Sequence, residues 1–181
     1  MSTGTRTRTR QAILDAAIEL LAQHPAASLG EIAAAARVGR TTLHRYFPDR
    51  SDLLTAVGAE GGERLSRATL RADVARDTGG AALLRLAREY FDLGSVLSLI
   101  FAGSGDAGCV EPAEDQVIAG LVTRGHADGS IDPELPAGWL ENLFWSQMYA
   151  AWAHLGDNPD MSRHEVLHLL LRSLGNALRP A

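Results

Sequence analysis

This chain predicts an all-α fold, and three observations carry that expectation. Apolar residues recur at three- and four-residue spacing along most of its 181 residues. No stretch holds a persistent period-two alternation, so no sheet is expected. Ser-x-x-Glu capping signals and prolines fall between the periodic segments. The pattern divides into about nine helices in two helical parts, residues 1–52 and 53–181.

Residues 1–8 read as a flexible Thr/Arg arm, after which Thr9 caps a helix running to about Gln23. Ile13, Leu14, Ala17, Leu20 and Leu21 form its apolar face, and His24-Pro25 ends it. Ser28 with Glu31 makes a capping box for a second helix, whose small apolar surface is Ile32 and the alanines at 33–36. Gly39 breaks that helix, and Arg40 to Phe47 forms a third, stopped by Pro48. Asp49 with Asp52 caps a fourth, starting at Leu53-Leu54 and reaching about Val74; Gly58, Gly61 and Gly62 mark a bend or weak point in it. Further helices are expected near 79–93, 95–102, 112–128, 137–155 and 163–178. Pro112 suits the first position of one of these, and Ser162 with Glu165 caps the last.

Hydrophobic residues make up 46% of the chain, enough for an ordinary core. No apolar run approaches the roughly 20 residues a membrane span needs, and the polar N-terminus lacks a signal-peptide core, so a cytoplasmic protein is expected. The single cysteine, Cys109, rules out an internal disulfide and reads as an unreactive thiol. No cofactor is expected.

The net charge of −5 conceals an asymmetry. Residues 1–50 carry seven arginines against four acids, a net of +3, whereas residues 51–181 carry a net of −8. There is no lysine. Arginine forks suit phosphates and guanine edges, and local charge decides binding more than the total does.

The basic half contains a helix-turn-helix pattern. Gly39 supplies a small residue for the turn, while Ile32, Val38, Leu43 and Phe47 join the two helices. Arg40, Thr41, Thr42, His44, Arg45 and Tyr46 are left for a DNA major groove. The string resembles the tetracycline-repressor (TetR) family of bacterial transcription regulators over about residues 9–57. The matching residues are Ile13-Leu14-Asp15-Ala16-Ala17, Glu31-Ile32-Ala33, Val38 through Phe47, and Pro48-Asp49-Arg50-Ser51-Asp52-Leu53-Leu54.

The resemblance implies a recognition helix from Arg40 to Tyr46, with Arg40, Thr41 and Arg45 on base edges and Thr42, His44 and Tyr46 on phosphates. Arg50 takes the place of a phosphate-binding lysine, and Ser28 joins the DNA-binding set. Arg6, Arg8 and Arg10 follow the backbone or enter the minor groove. The chain departs from the family pattern in four places. Gly39 replaces a serine cap, Thr41 a smaller residue and His44 the commonest tyrosine, and the His24–Ala27 loop lacks a frequent Gly-aromatic pair.

The family places a ligand pocket and a dimer interface in the C-terminal part. Residues 137–155 are apolar on more than one face, including Trp139, Leu140, Leu143, Phe144 and Ala151. The last helix adds Val166, Leu167, Leu170, Leu171, Leu174 and Leu178, and together the two resemble the family's dimer bundle. Phe91, Leu97, Phe101, Trp145, Met148, Tyr149 and Trp152 are the candidate pocket residues, and their low charge suits an apolar or aromatic effector. The expected function is a homodimeric repressor released from a palindromic operator by such an effector.

Two other readings are weighed. Gly103 to Gly108 spells a dinucleotide-binding fingerprint, which would suit an oxidoreductase, but no βαβ alternation surrounds it. A helical protein-interaction module with an incidental basic face is the other. His164 and His168 stand four apart without an evident third metal ligand, and no nucleophile–base–acid set is found. A far-UV circular dichroism spectrum of helix alone is expected; substantial strand signal would favour the oxidoreductase.

Overall fold

The computed structural model describes residues 3–101 and 113–180. Among them all regular structure is helical: α1 (Thr3–Gln23), α2 (Leu29–Ala35), α3 (Arg40–Tyr46), α4 (Arg50–Arg71), α5 (Gly79–Phe91), α6 (Gly94–Phe101), α7 (Ala113–Asp128), α8 (Ala137–Asp157) and α9 (Arg163–Ala177). Cys109, Pro112 and the Gly103–Gly108 motif lie outside the described residues.

The all-α expectation holds, with two local corrections. Residues 3–8 continue α1 instead of forming an arm, so Thr9 is no cap. Its hydroxyl donates to the Thr5 carbonyl (3.0 Å), and Arg8 Nε reaches the Gly4 carbonyl (3.2 Å), both one turn back within the helix. The fourth helix begins at Arg50, with Asp49 accepting from the Asp52 amide at 2.9 Å. It runs as one helix through Gly58, Gly61 and Gly62.

Contacts divide the chain into two compact units. One gathers the described residues of Met1–Arg64 with those of Ser95–Val110; the other gathers Leu65–Gly94 with the described residues of Glu111–Ala181.

In the first unit, Ile13, Leu14, Ala17, Ile18 and Leu21 of α1 are buried with Ile32, Leu43, Leu53 and Val57. Polar side chains join α1 to α4. Gln11 Nε2 donates to Asp15 and Glu60, both at 3.0 Å, and Arg64 donates to Glu60 at 2.9 Å and also to Asp15. Burial disfavours the Arg64 charge, but the bonds to Glu60 and Asp15 outweigh it and raise its pKa above the ordinary value.

The second unit is built around Leu83, Leu86, Tyr90, Phe91, Ile118, Val122, Phe144, Met148, Leu170 and Leu174, all nearly or fully buried. The start of α5 lies against α7. A Cβ on Gly79 would come within 2.2 Å of the Gly125 backbone nitrogen. The end of α7, the loop after it and the N-cap Thr78 serve the orphan amides of α5. Gly79 N donates to Asp128 (2.8 Å), Gly80 N to Ser130 Oγ (2.9 Å) and Ala81 N to Thr78 Oγ1 (3.3 Å). Arg85 closes the α4–α5 link by donating to the carbonyls of Ala72, Asp73 and Arg76.

Both expected capping boxes form. Ser28 and Ser162 exchange hydrogen bonds with Glu31 and Glu165. Backbone and hydroxyl donation from those serines holds each glutamate below the usual carboxylate range, and the Ser130 hydroxyl with the Gly79 amide does the same for Asp128.

Two predictions follow from this packing. Gly79→Ala is expected to destabilise the protein by at least about 2 kcal/mol, because backbone must move to admit the methyl. Gly62→Ala, with nothing within 4 Å of its Cβ, is expected to stabilise α4 by about 1 kcal/mol. Equal midpoints in denaturant titrations would contradict both. The depressed carboxylates contribute stability above their unfolded titration range and lose it as pH falls. Unfolding free energy should therefore drop between about pH 6 and pH 3. Ser28→Ala with Ser162→Ala should flatten that drop; parallel curves for variant and parent would show that these boxes do not contribute.

Candidate nucleic-acid interface

The interface is set by which side of α3 is buried. Leu43 has no solvent exposure, and Phe47, one turn on, is buried beside it. At 100° per residue, Thr41 and Arg45 straddle the direction opposite Leu43. Arg40 and His44 lie on one flank, Thr42 and Tyr46 on the other. The solvent pattern agrees, with Arg40, Thr41, His44 and Arg45 exposed and Thr42 and Tyr46 half-buried. One face of a short helix thus gathers an arginine, a threonine and flanking polar groups.

Several of these groups have protein partners. The Arg40 guanidinium lies over Gly30 of α2, where a Cβ would be only 3.1 Å from Nη2. The Arg45 guanidinium stands 5.5 Å from the Tyr46 ring centroid, and Arg10 stands 5.5 Å from that of Phe47. His44 Nδ1 is 3.1 Å from the Pro48 carbonyl oxygen.

Two of the residues expected to contact DNA also hydrogen-bond within the chain. Arg50 Nη2 donates to the Pro25 carbonyl at 2.7 Å and Nη1 to the Ala27 carbonyl, so it holds the α1–α2 loop against the start of α4. Ser28 Oγ donates to Glu31 at 2.7 Å and accepts from the Glu31 amide at 3.3 Å. Carbonyls left open at a tight loop accept from an arginine, and nothing local in the sequence marks them.

Gly39 is the N-cap of α3 in ordinary extended geometry (φ −70°), without a side-chain cap. The left-handed residue is Arg37 (φ 55°), where a side chain is strained. The sequence reading missed Arg37 because no Gly or Asn marks it.

Four of the candidate ligand-binding residues, Phe91, Trp145, Met148 and Trp152, lie in the second unit. In the second unit, Trp145 stacks on Tyr90 (centroids 6.0 Å, planes 22° apart), and Trp152 stacks on Phe91 (5.3 Å, 30°). Met148 is buried on the same helix, α8. A Cβ on Gly94 would fall 1.8 Å from Trp152 Cζ2, so the indole requires glycine there. Tyr149 is 60% exposed. Leu97 is buried within the first unit, and the Phe101 side chain lies outside the described residues.

Two residues that the sequence reading did not single out complete the cluster. Tyr90 is fully buried, with its hydroxyl 2.9 Å from Thr69 Oγ1. Arg163 places its guanidinium 4.9 Å from the Phe91 ring centroid and 4.8 Å from that of Trp152, and donates to the Phe91 carbonyl at 2.6 Å. The buried Trp152 Nε1–H has no hydrogen-bond partner among the described residues. Such a donor carries a desolvation cost that an incoming acceptor would relieve.

The dimer-bundle residues are also redistributed. Val166, Leu170, Leu174 and Leu178 of the C-terminal segment are buried within the chain, as are Leu140, Phe144 and Met148. Trp139 and Leu169 stay exposed with Tyr149. No group of three potential metal ligands occurs among the described residues, and both His164 and His168 are exposed.

Comparison with known proteins agrees with the geometry of α2 and α3. Residues 13–57 match the family model for bacterial regulatory proteins of the tetR family. The chain is 37% identical to the HTH-type transcriptional repressor LfrR of Mycolicibacterium smegmatis, over 98% of this chain and 94% of that protein. A crystal structure of LfrR from Mycobacterium smegmatis in complex with proflavine superposes with a TM-score of 0.74 at 36% identity, covering 98% of this chain and 99% of that one. The regulator FadR from Bacillus subtilis, solved with stearoyl-CoA, shares the fold alone: TM-score 0.70 at 17% identity, covering 93% and 99% of the two chains. The helix-turn-helix built on Leu43, the family match across it and the near full-length similarity to LfrR agree that this chain is a DNA-binding transcriptional regulator and belongs to the tetR family.

Proposed function

We propose that this regulator is a homodimeric repressor that is released from a palindromic operator by a small, largely apolar effector. The observation that carries the reading is the exposed Thr41–Arg45 face of α3 opposite the buried Leu43. A helix anchored on one side and polar on the other fits a major groove, with Arg45 placed for a guanine edge and Thr42, His44 and Tyr46 for the groove walls. LfrR is a repressor by name, which supports the sign of regulation. Arg50 and Ser28 act indirectly here, by holding the α1–α2 loop and α2 in place.

A second copy is supported by Trp139, Tyr149 and Leu169, large apolar groups left exposed on α8 and α9. Two-fold operators need paired recognition helices about 34 Å apart. The effector reading rests on the aromatic cluster of Phe91, Trp145, Met148 and Trp152, with Tyr90 added. Proflavine, the ligand in the LfrR complex, is a flat aromatic molecule and supports that chemistry. Release then works through a change in α4. No helix among the described residues is long and apolar enough to cross a membrane, which suits a cytoplasmic site of action.

Selection from a random duplex library, followed by salt titration, tests the reading. An enriched palindrome is expected, and Arg45→Ala should lose about 1–3 kcal/mol of discrimination at one base position. No enriched motif at low salt would favour the interaction-module reading. Arg50→Ala should weaken binding to all sequences alike by loosening the α1–α2 loop, with base preference and salt slope unchanged. A salt slope reduced by about one per protomer would instead place Arg50 on a phosphate. Gly61→Ala with Gly62→Ala should weaken effector-driven release of DNA, and unchanged release would remove α4 from the mechanism.

A further inference from the structure

We propose that His44 meets a backbone phosphate as an imidazolium, so that α3 takes up a proton when it docks on DNA. The proposal rests on reading α3 as the recognition helix, and it concerns the chemical state that one of its contacts requires.

His44 is exposed on the flank of α3, about 100° from Leu43, whereas Thr41 and Arg45 point most directly away from the core. When a helix lies in the major groove, its outward face meets base edges and its flanks meet the groove walls, which are lined with phosphates.

His44 Nδ1 lies 3.1 Å from the Pro48 carbonyl oxygen. A carbonyl only accepts, so Nδ1 must carry the hydrogen. In the neutral ring Nε2 is then a bare acceptor, and it opposes a phosphate oxygen instead of binding it. Protonation converts Nε2 into a donor, adds a positive charge and leaves the Nδ1–H bond to Pro48 intact. A charge-assisted hydrogen bond to phosphate becomes available only in that state. A tyrosine hydroxyl in the same place would donate across the whole neutral range, so histidine makes the contact conditional on pH.

The charged neighbours are mixed. Arg40 stands one turn back on α3 and Arg45 next in sequence, with Arg37 in the preceding turn and Asp49 directly after Pro48. On α2, Glu31 is engaged in the Ser28 box, and Arg10 of α1 lies over Phe47. A phosphate brought against this flank supplies the negative charge that favours the imidazolium.

The test measures affinity of the full chain for its selected duplex by fluorescence anisotropy, at fixed ionic strength from about pH 5.5 to 8. Binding should be tightest at the acid end and weaken as pH rises, by up to about tenfold per unit for each α3 engaged. His44→Gln should remove that part of the pH dependence, and His44→Tyr should give a flatter profile with binding retained at pH 8. His24, His126, His154, His164 and His168 remain in both variants, so the difference from the parent belongs to His44. Base preference should be the same in all three proteins.

Parallel pH profiles for the parent and His44→Gln would overturn the proposal. So would a changed preference at one base position, which would mean that neutral Nε2 accepts from a base amino group. If the parent binds no duplex at any pH, the recognition-helix reading itself fails, and the proposal with it. Circular dichroism of the variants checks that their helices are intact.

Discussion

The burial of Leu43 is the constraint on which the interface depends. The side chain has no exposure, and Phe47 one turn later is almost as inaccessible. Leu43 within a seven-residue helix and Phe47 at its C-cap, both buried, fix its rotation, and rotation decides which polar groups face outward. A helix this short has little stability of its own, so its packing against Ile32 and Ala33 of α2 must hold it. Those α2 residues are held in turn by the capping box that starts their helix. The outward Thr41–Arg45 face is the far side of a hydrophobic seam.

Arginine is the only strongly basic side chain in the chain, but much of it serves the protein's own backbone. Arg50 holds the carbonyls of Pro25 and Ala27, Arg85 those of Ala72, Asp73 and Arg76, and Arg163 that of Phe91. Arg124 reaches the Val74 carbonyl at 2.7 Å. A planar guanidinium with five donors can satisfy several loop carbonyls at once, which a lysine cannot do with the same geometry. Charge counting therefore overstates how many cations are open to DNA. It still identifies the basic part, because Arg37, Arg40 and Arg45 remain exposed there.

The second unit combines a closely fitted scaffold with an unsatisfied group. Gly79 against Gly125, and Gly94 against Trp152, allow approaches that no side chain would permit. Beside them Trp152 stacks on Phe91 under the Arg163 guanidinium, while its indole N–H stays buried without a partner among the described residues. A ligand site needs both features, rigid walls and an interaction still to be made.

What the sequence determined by itself is local. Capping boxes at Ser28 and Ser162, the Asp49 cap, the apolar periodicity of α1, α8 and α9 and the motif across α2 and α3 all depend on residues within about four positions of each other, so they were legible. The exposed set on α3 was legible for the same reason, since one helix period separates Leu43 and Phe47 from their polar neighbours. Contacts between residues distant in sequence were decided only by the tertiary structure. Arg50 turned to carbonyls more than twenty positions earlier, Tyr149 faced outward while Trp145 met Tyr90, and the leucines of α9 divided between core and surface according to what α5 and α8 cover. The left-handed residue of the turn is Arg37, because the path from α2 to α3 sets the backbone angles there and a side chain's preference is too weak to overrule it.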